Sequence, residues 1–157
     1  MKHLAQLASL GIELPPIPKP IGNFRNFVRT GSLIFISGQG PRKADGSMHQ
    51  GKVGKEVAPG LAYDHARLTG LNILAVLADA VGDLGRVSQV VKLLGLVNAT
   101  DDFARHPEVI NGCSDLFTDV FGEIGQHART AIGVSSLPNN ITVEIEAIFE
   151  LRAWWRT

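Results

Sequence analysis

Polar and apolar positions divide the chain into segments of different period. Residues 61–82, LAYDHARLTGLNILAVLADAVG, place Ala66, Ile73, Leu77, Ala80 and Val81 on one helical face. Leu71, Leu74 and Val76 widen that stripe, so the spacing predicts a helix lying flat on a sheet, with Gly82 as its C-cap. Residues 107–122 form a second helix opened by Pro107 in its first turn, with Ile110, Cys113, Leu116, Phe117 and Val120 as its buried stripe. Period two governs elsewhere. Phe24, Asn26 and Val28 alternate as in a half-buried strand, Leu33 to Ile36 is β-rich, and Thr30-Gly31-Ser32 between them predicts a hairpin. Residues 86–100 read as a long strand apolar on both faces, and 130–135 as a short one. The strictest alternator is ITVEIEAIFEL, residues 141–151. It sets Thr142, Glu144, Glu146 and Ile148 on one face against Val143, Ile145, Ala147 and Phe149 on the other. Residues 38–60, with six glycines and two prolines, predict a loop with a turn at Asp45-Gly46. The first residues suggest a short amphipathic helix (Leu4, Leu7, Ala8, Gly11). LPPIPKP, 14–20, then predicts an extended tether.

The order β-β-α-β-α-β-β implies an α+β domain with two helices on one face of a mixed sheet. The organisation is an N-terminal extension, 1–19, and a single domain, 20–157. At 45% hydrophobic residues the other sheet face cannot stay bare, which predicts a homo-oligomer.

Composition narrows the function classes. Fifteen Lys and Arg balance fifteen Asp and Glu, so the basic excess of a nucleic-acid binder is missing. No apolar run reaches the ~20 residues of a membrane span. One cysteine excludes an intrachain disulfide framework and a multi-cysteine zinc site. It suits a reducing cytoplasm, the expected location. None of the five histidines is spaced with another as metal ligands are, and no cofactor motif occurs. Ser37-Gly38-Gln39-Gly40 has the wrong spacing for a dinucleotide fingerprint and no helix directly after it.

Several residues carry candidate chemistry. Glu144 and Glu146 share one face of an otherwise aliphatic strand. For Glu146 a solvent-facing position explains the charge, whereas Glu144 against an oligomer interface would have a perturbed pKa. Arg129 opens a short strand, where its fork suits a small carboxylate. A salt bridge to Glu123 or Glu144 is the structural alternative. Gly38 would let backbone N–H groups approach a ligand. His127, two residues from Arg129, is either a proton carrier or a surface histidine. Cys113 fits the core, and Trp154-Trp155 fits a packing anchor.

IGNFRNFVRTGSLIFISGQGP and ARTAIGVSSLPNNITVEIEAI closely resemble the YjgF/RidA family, also called the endoribonuclease L-PSP or reactive intermediate deaminase family. The resemblance spans roughly residues 20–151. Its most specific part is Arg129, then Leu137-Pro138, then Val143-Glu144-Ile145-Glu146. It implies a chorismate-mutase-like homotrimer with sites between subunits. The implied activity is hydrolysis of 2-imino acids, such as 2-aminoacrylate and 2-iminobutanoate, to 2-keto acids and ammonia. Arg129 would then clamp the substrate carboxylate and Glu144 would position or activate the water. Ser37, Gly38 and Asn111 would line the cleft. Phe24 stands where the family has a tyrosine and Ala131 where deaminating members have a cysteine. His127 and Thr130 also depart from the usual pattern, and the 101–109 loop is longer. Two alternatives stand beside deamination. One is a non-catalytic trimer binding small carboxylates or keto acids, favoured by Phe24 and Ala131. The other is a ribonuclease, for which only Arg25, Arg29, Arg42 and Lys43 offer a local basic patch.

Overall fold

A computed structural model describes residues 2–153. Met1 and residues 154–157 lie outside it, and with them the expectation for Trp154-Trp155. The elements are α1 (Lys2–Ser9), β1 (Phe27–Thr30), β2 (Leu33–Gln39), α2 (Pro59–Val81), β3 (Val87–Asn98), α3 (His106–Phe121), β4 (Ala128–Val134) and β5 (Val143–Leu151). One five-stranded sheet has the order β1-β2-β5-β3-β4. Only β3 and β4 pair in parallel, joined by α3; the other pairs are antiparallel. This is the α+β mixed sheet the pattern predicts.

Alternation in β5 assigns the two faces. Val143, Ile145, Ala147 and Phe149 are buried against α2 and α3, while Glu146 is exposed and Glu144 and Ile148 are half-buried. Both helices use their predicted stripes: Ile73, Leu77, Ile110, Cys113, Leu116 and Phe117 are inaccessible to solvent. The Phe117 and Phe149 rings meet at 5.6 Å between α3 and β5. At the α2–α3 crossing, a Cβ at Gly112 would lie 2.0 Å from the Tyr63 carbonyl oxygen. Only glycine permits that approach, and it seats neighbouring Asn111 on α3. Gly82, with φ +76°, caps α2 through its N–H on Ala78 O at 2.8 Å. Cys113 is a core thiol, and burial pushes its pKa far up.

Boundaries differ from the pattern in three places. β1 begins at Phe27 rather than Phe24, because Ser37 takes the preceding carbonyls: its N–H donates to Asn26 O at 2.9 Å and its hydroxyl to Arg25 O at 2.6 Å. Phe24 therefore stands before the strand, half exposed. β4 begins two residues earlier than predicted, so Arg129 sits inside the strand. The N-terminal helix forms, but Leu7 is its buried apolar contact while Ala8 and Gly11 are exposed; the Leu4 side chain lies outside the described residues. Gln6 Nε2 donates to Asp119 O at 3.0 Å and His3 Nδ1 lies 3.1 Å from Val120 O, which fastens α1 to the end of α3. The proline segment is tied down as well, Pro18 O accepting from Asn26 and Pro16 O from Arg42.

The second sheet face is open and mixed, Lys92, Glu144 and Glu146 lying among apolar side chains. Val28, Phe35 and Ile132 are 55%, 40% and 45% exposed on it, and Leu94, Leu96 and Ile148 lie between them in register. No helix of the described residues is long and apolar enough to cross a membrane.

The start of β5 is held by a buried histidine. His65 on α2 lies 2.9 Å from Thr142 Oγ1 and stacks on His49, ring centroids 4.0 Å apart. Burial, then the neighbouring His49, pushes the His65 pKa from 6.5 down to about 4; Lys43 adds to the shift and Asp64 opposes it. Between those values the unfolded chain binds more protons than the folded one, so stability falls as pH falls through that window. At 1.36 kcal/mol per unit the loss reaches about 3 kcal/mol. Thermal melts from pH 8 to 4.5 are expected to show a plateau above about pH 6.5 and a falling Tm below it. His65→Gln should flatten that fall.

Candidate functional site

The residues singled out from sequence form two groups in one chain. The first gathers where β2 meets β5. The β2–β5 register shifts between Ile36 and Gln39, so Ser37 and Gly38 form an irregularity beside Glu146 and Glu144. A Cβ at Gly38 would come within 3.0 Å of the Glu144 carboxyl carbon. The absent side chain at Gly38 is what leaves room for that carboxylate. Burial raises the Glu144 pKa above the ordinary carboxylate range, and Glu146 adds to the shift. Phe24 adjoins this group through Arg25, whose carbonyl holds Ser37.

The second group gathers where β4 meets α3. Arg129 Nη1 donates to Asn111 Oδ1 at 2.7 Å and to Ser114 Oγ at 3.1 Å. Ala131 follows two residues along the same strand face and packs against the core. No carboxylate among the described residues lies in ion-pair range of Arg129. The salt-bridge alternative to Glu123 or Glu144 is therefore overturned: its partners are two neutral acceptors on α3. Ser114 was missed in the sequence, since a serine on a helix flank carries no signal until the facing strand is known. His127 is half-buried rather than a surface residue. Its Nδ1 lies 2.6 Å from Gly125 O and its Nε2 2.9 Å from Ser114 Oγ.

The sheet keeps the two groups apart. Arg129 is level with Leu93 of β3, and Leu93 pairs with Ala147, a helix-face residue of β5. Glu144 is level with Leu96, whose neighbour on β4 is Ile132 of the open face. Residues level across a sheet share a face. Arg129 thus projects from the helix face and Glu144 from the open face. Two strand spacings across and three residues along put their Cα atoms about 14 Å apart. Opposite faces and that distance prevent both from gripping one small molecule within a chain.

A cavity of about 250 Å³ lies elsewhere, between the ends of β3 and β4 and the start of α3, lined by Thr100, Phe103, His106 and Gly133 among others. It contains none of the residues above. Among the described residues, no three or more His, Cys, Asp or Glu side chains are grouped to hold a metal ion.

Comparison with known proteins agrees with this architecture. The family described as "YjgF/chorismate mutase-like, putative endoribonuclease" matches residues 4–151. Protein TCP17 of Trypanosoma cruzi is 39% identical over 148 residues, covering 94% of this chain and 92% of that protein. A 2-iminobutanoate/2-iminopropanoate deaminase of Dermatophagoides farinae is 30% identical over 137 residues, 87% of this chain and 92% of the relative. The crystal structure of Atu1372 from Agrobacterium tumefaciens, a protein of unknown function, superposes with a TM-score of 0.87 at 39% identity. That match covers 96% of this chain and 92% of the other.

The raised Glu144 pKa has a consequence for stability. Above the carboxylate range the folded state bears the cost of a half-buried charge, a cost that disappears once the group is protonated. Glu144→Gln is expected to raise Tm at pH 7.5. The difference should shrink as pH falls through the ordinary carboxylate range and vanish below it, where both folded and unfolded carboxyls are protonated. A lower Tm for the variant at pH 7.5 would mean that the charge is compensated.

Proposed function

Because the chain belongs to the YjgF/RidA family, we propose that it hydrolyses small 2-imino acids to 2-keto acids and ammonia. In this reading the sites lie between the copies of a homotrimer. Arg129 of one copy holds the substrate carboxylate, and Glu144 of the next positions the water. The observation that carries the reading is the state of Arg129: one guanidinium nitrogen is anchored by Asn111 and Ser114, and among the described residues no carboxylate pairs with its charge. Such a group suits a small anionic ligand with two parallel acceptors.

The chemistry then requires little machinery. The iminium carbon is already electrophilic, so an oriented water and a nearby base suffice. Glu144 accepts the proton of the attacking water as the C–O bond forms. The C–N bond breaks, and nitrogen takes that proton and the second water hydrogen to leave as ammonium. R–C(=NH2⁺)–COO⁻ and H2O thus become R–CO–COO⁻ and NH4⁺, with no cofactor consumed. A carboxyl with a raised pKa is a better proton acceptor at neutral pH than an ordinary one. The exposed apolar side chains of the open face, Val28, Phe35 and Ile132, support burial against further copies. Within such an assembly Phe24, Ser37, Gly38, Asn111 and Ala131 would line the cleft. Phe24 and Ala131 offer no hydroxyl or thiol to a substrate. That favours, as a second reading, a carboxylate-binding trimer without turnover.

The test generates 2-iminopropanoate and 2-iminobutanoate in situ with an amino-acid oxidase and follows keto-acid release. Acceleration by the protein is expected. Arg129→Ala should remove two hydrogen bonds to a charged group, at about 1.5–3 kcal/mol each, and lower kcat/KM at least about 100-fold with the oligomer intact. Keto-acid binding without acceleration would select the second reading. Turnover surviving Arg129→Ala would end the proposed mechanism.

A further inference from the structure

We propose that Ser114 and His127 are positioning residues that hold the Arg129 guanidinium in register for a substrate carboxylate. The inference rests on the reading of Arg129 as the carboxylate clamp.

The directions of the hydrogen bonds follow from the atoms. Gly125 O can only accept, so the His127 nitrogen 2.6 Å from it, Nδ1, carries the hydrogen. In a neutral ring Nε2 is then an acceptor, and Ser114 Oγ lies 2.9 Å away. Serine has a single hydroxyl hydrogen. Donated to His127, it leaves the oxygen lone pairs for Arg129 Nη1 at 3.1 Å. Asn111 Oδ1 takes the other contact at 2.7 Å. Arg129 is thus held by two acceptors, and the orientation of one of them is set by a histidine whose tautomer the backbone fixes.

The surroundings keep the ring neutral. Burial lowers the His127 pKa, the Arg129 charge lowers it further, and the bond to Gly125 O opposes the shift. α3 contributes the Phe117 ring, edge-on with centroids 6.2 Å apart, and Ser114. Cys113, the α3 thiol nearest Arg129 in electrostatic terms, is kept protonated by burial. The charged group facing His127 is Arg129 of β4 itself. A proton added to His127 would turn Nε2 into a donor, so that Ser114 must accept from it and turn its own hydrogen elsewhere. Arg129 would lose an acceptor and gain a neighbouring cation. Substrate binding should therefore weaken as pH falls through the His127 pKa, an effect read in the Kd of the keto acid, which involves no proton transfer to Glu144.

The experiment uses the full chain. It measures KM and kcat for 2-iminobutanoate, and the Kd of 2-oxobutanoate by calorimetry from pH 5 to 8. The variants are Ser114→Thr and Ser114→Val, matched in shape but differing in the hydroxyl, together with His127→Gln and Arg129→Ala. Ser114→Val is expected to raise KM about 10-fold, the equivalent of one hydrogen bond to a charged group, with kcat nearly unchanged. Ser114→Thr should stay near the wild-type value. Wild-type Kd should rise as pH falls, and His127→Gln should flatten that rise. A wild-type KM in Ser114→Val, or an unaltered pH profile in His127→Gln, overturns this inference while Arg129→Ala still abolishes binding. Unimpaired binding by Arg129→Ala overturns the clamp reading itself.

Discussion

Strand parity is the constraint on which the rest of the structure depends. β4 runs parallel to β3 with Arg129 level with Leu93, and β5 runs antiparallel to β3 with Glu144 level with Leu96. Those residue numbers on β3 differ by three, an odd number, so the two side chains leave the sheet on opposite faces. No side-chain rotation brings them together. A function that needs both must take one from each of two chains. β4 is an edge strand, which places Arg129 at the rim of its chain, where a neighbour can meet it.

The same parity gives the two halves different chemistry. On the helix face, α3 supplies neutral acceptors that orient the guanidinium without neutralising it. On the open face, aliphatic neighbours desolvate Glu144 and raise its pKa. In the proposed mechanism the clamp benefits from a cation with no ion-pair partner among the described residues, and the base from a carboxylate that is costly to ionise. Both are unfavourable for folding in isolation. The core beneath them, built on Phe117, Phe149 and the α2–α3 crossing, supplies the stability that tolerates them.

Much of the framework was legible in the sequence because burial there is one-sided. The α2 and α3 stripes, the Gly82 cap and the β5 alternation all follow from periodicity, and each matches the observed burial. β4 was harder. It is a short edge strand whose burial alternates only between exposed and half-buried, and the residue types of ARTAIGV do not follow that alternation, so they do not mark which face Arg129 takes. Its parallel pairing with β3 is set by α3 packing rather than by any local pattern. The start of β1 was misplaced because Ser37, distant in sequence, claims the carbonyls of Arg25 and Asn26. Arg129, Glu144 and Gly38 stood out from strand pattern and residue chemistry, while their roles and the places of Phe24, Ser37, Asn111 and Ala131 came from family resemblance; the Ser114–His127 tie is a product of tertiary packing and needed the structure.

The central claim is that Arg129 and Glu144 act together only across chains. Co-expressing Arg129→Ala with Glu144→Gln tests it most directly, each variant being inactive alone. In a cyclic trimer of mixed composition one cleft of three pairs an intact Arg129 with an intact Glu144, so each mixed trimer should recover about a third of wild-type activity. Activity that stays at the level of the separate variants, with mixed oligomers present by native mass spectrometry, would contradict the account.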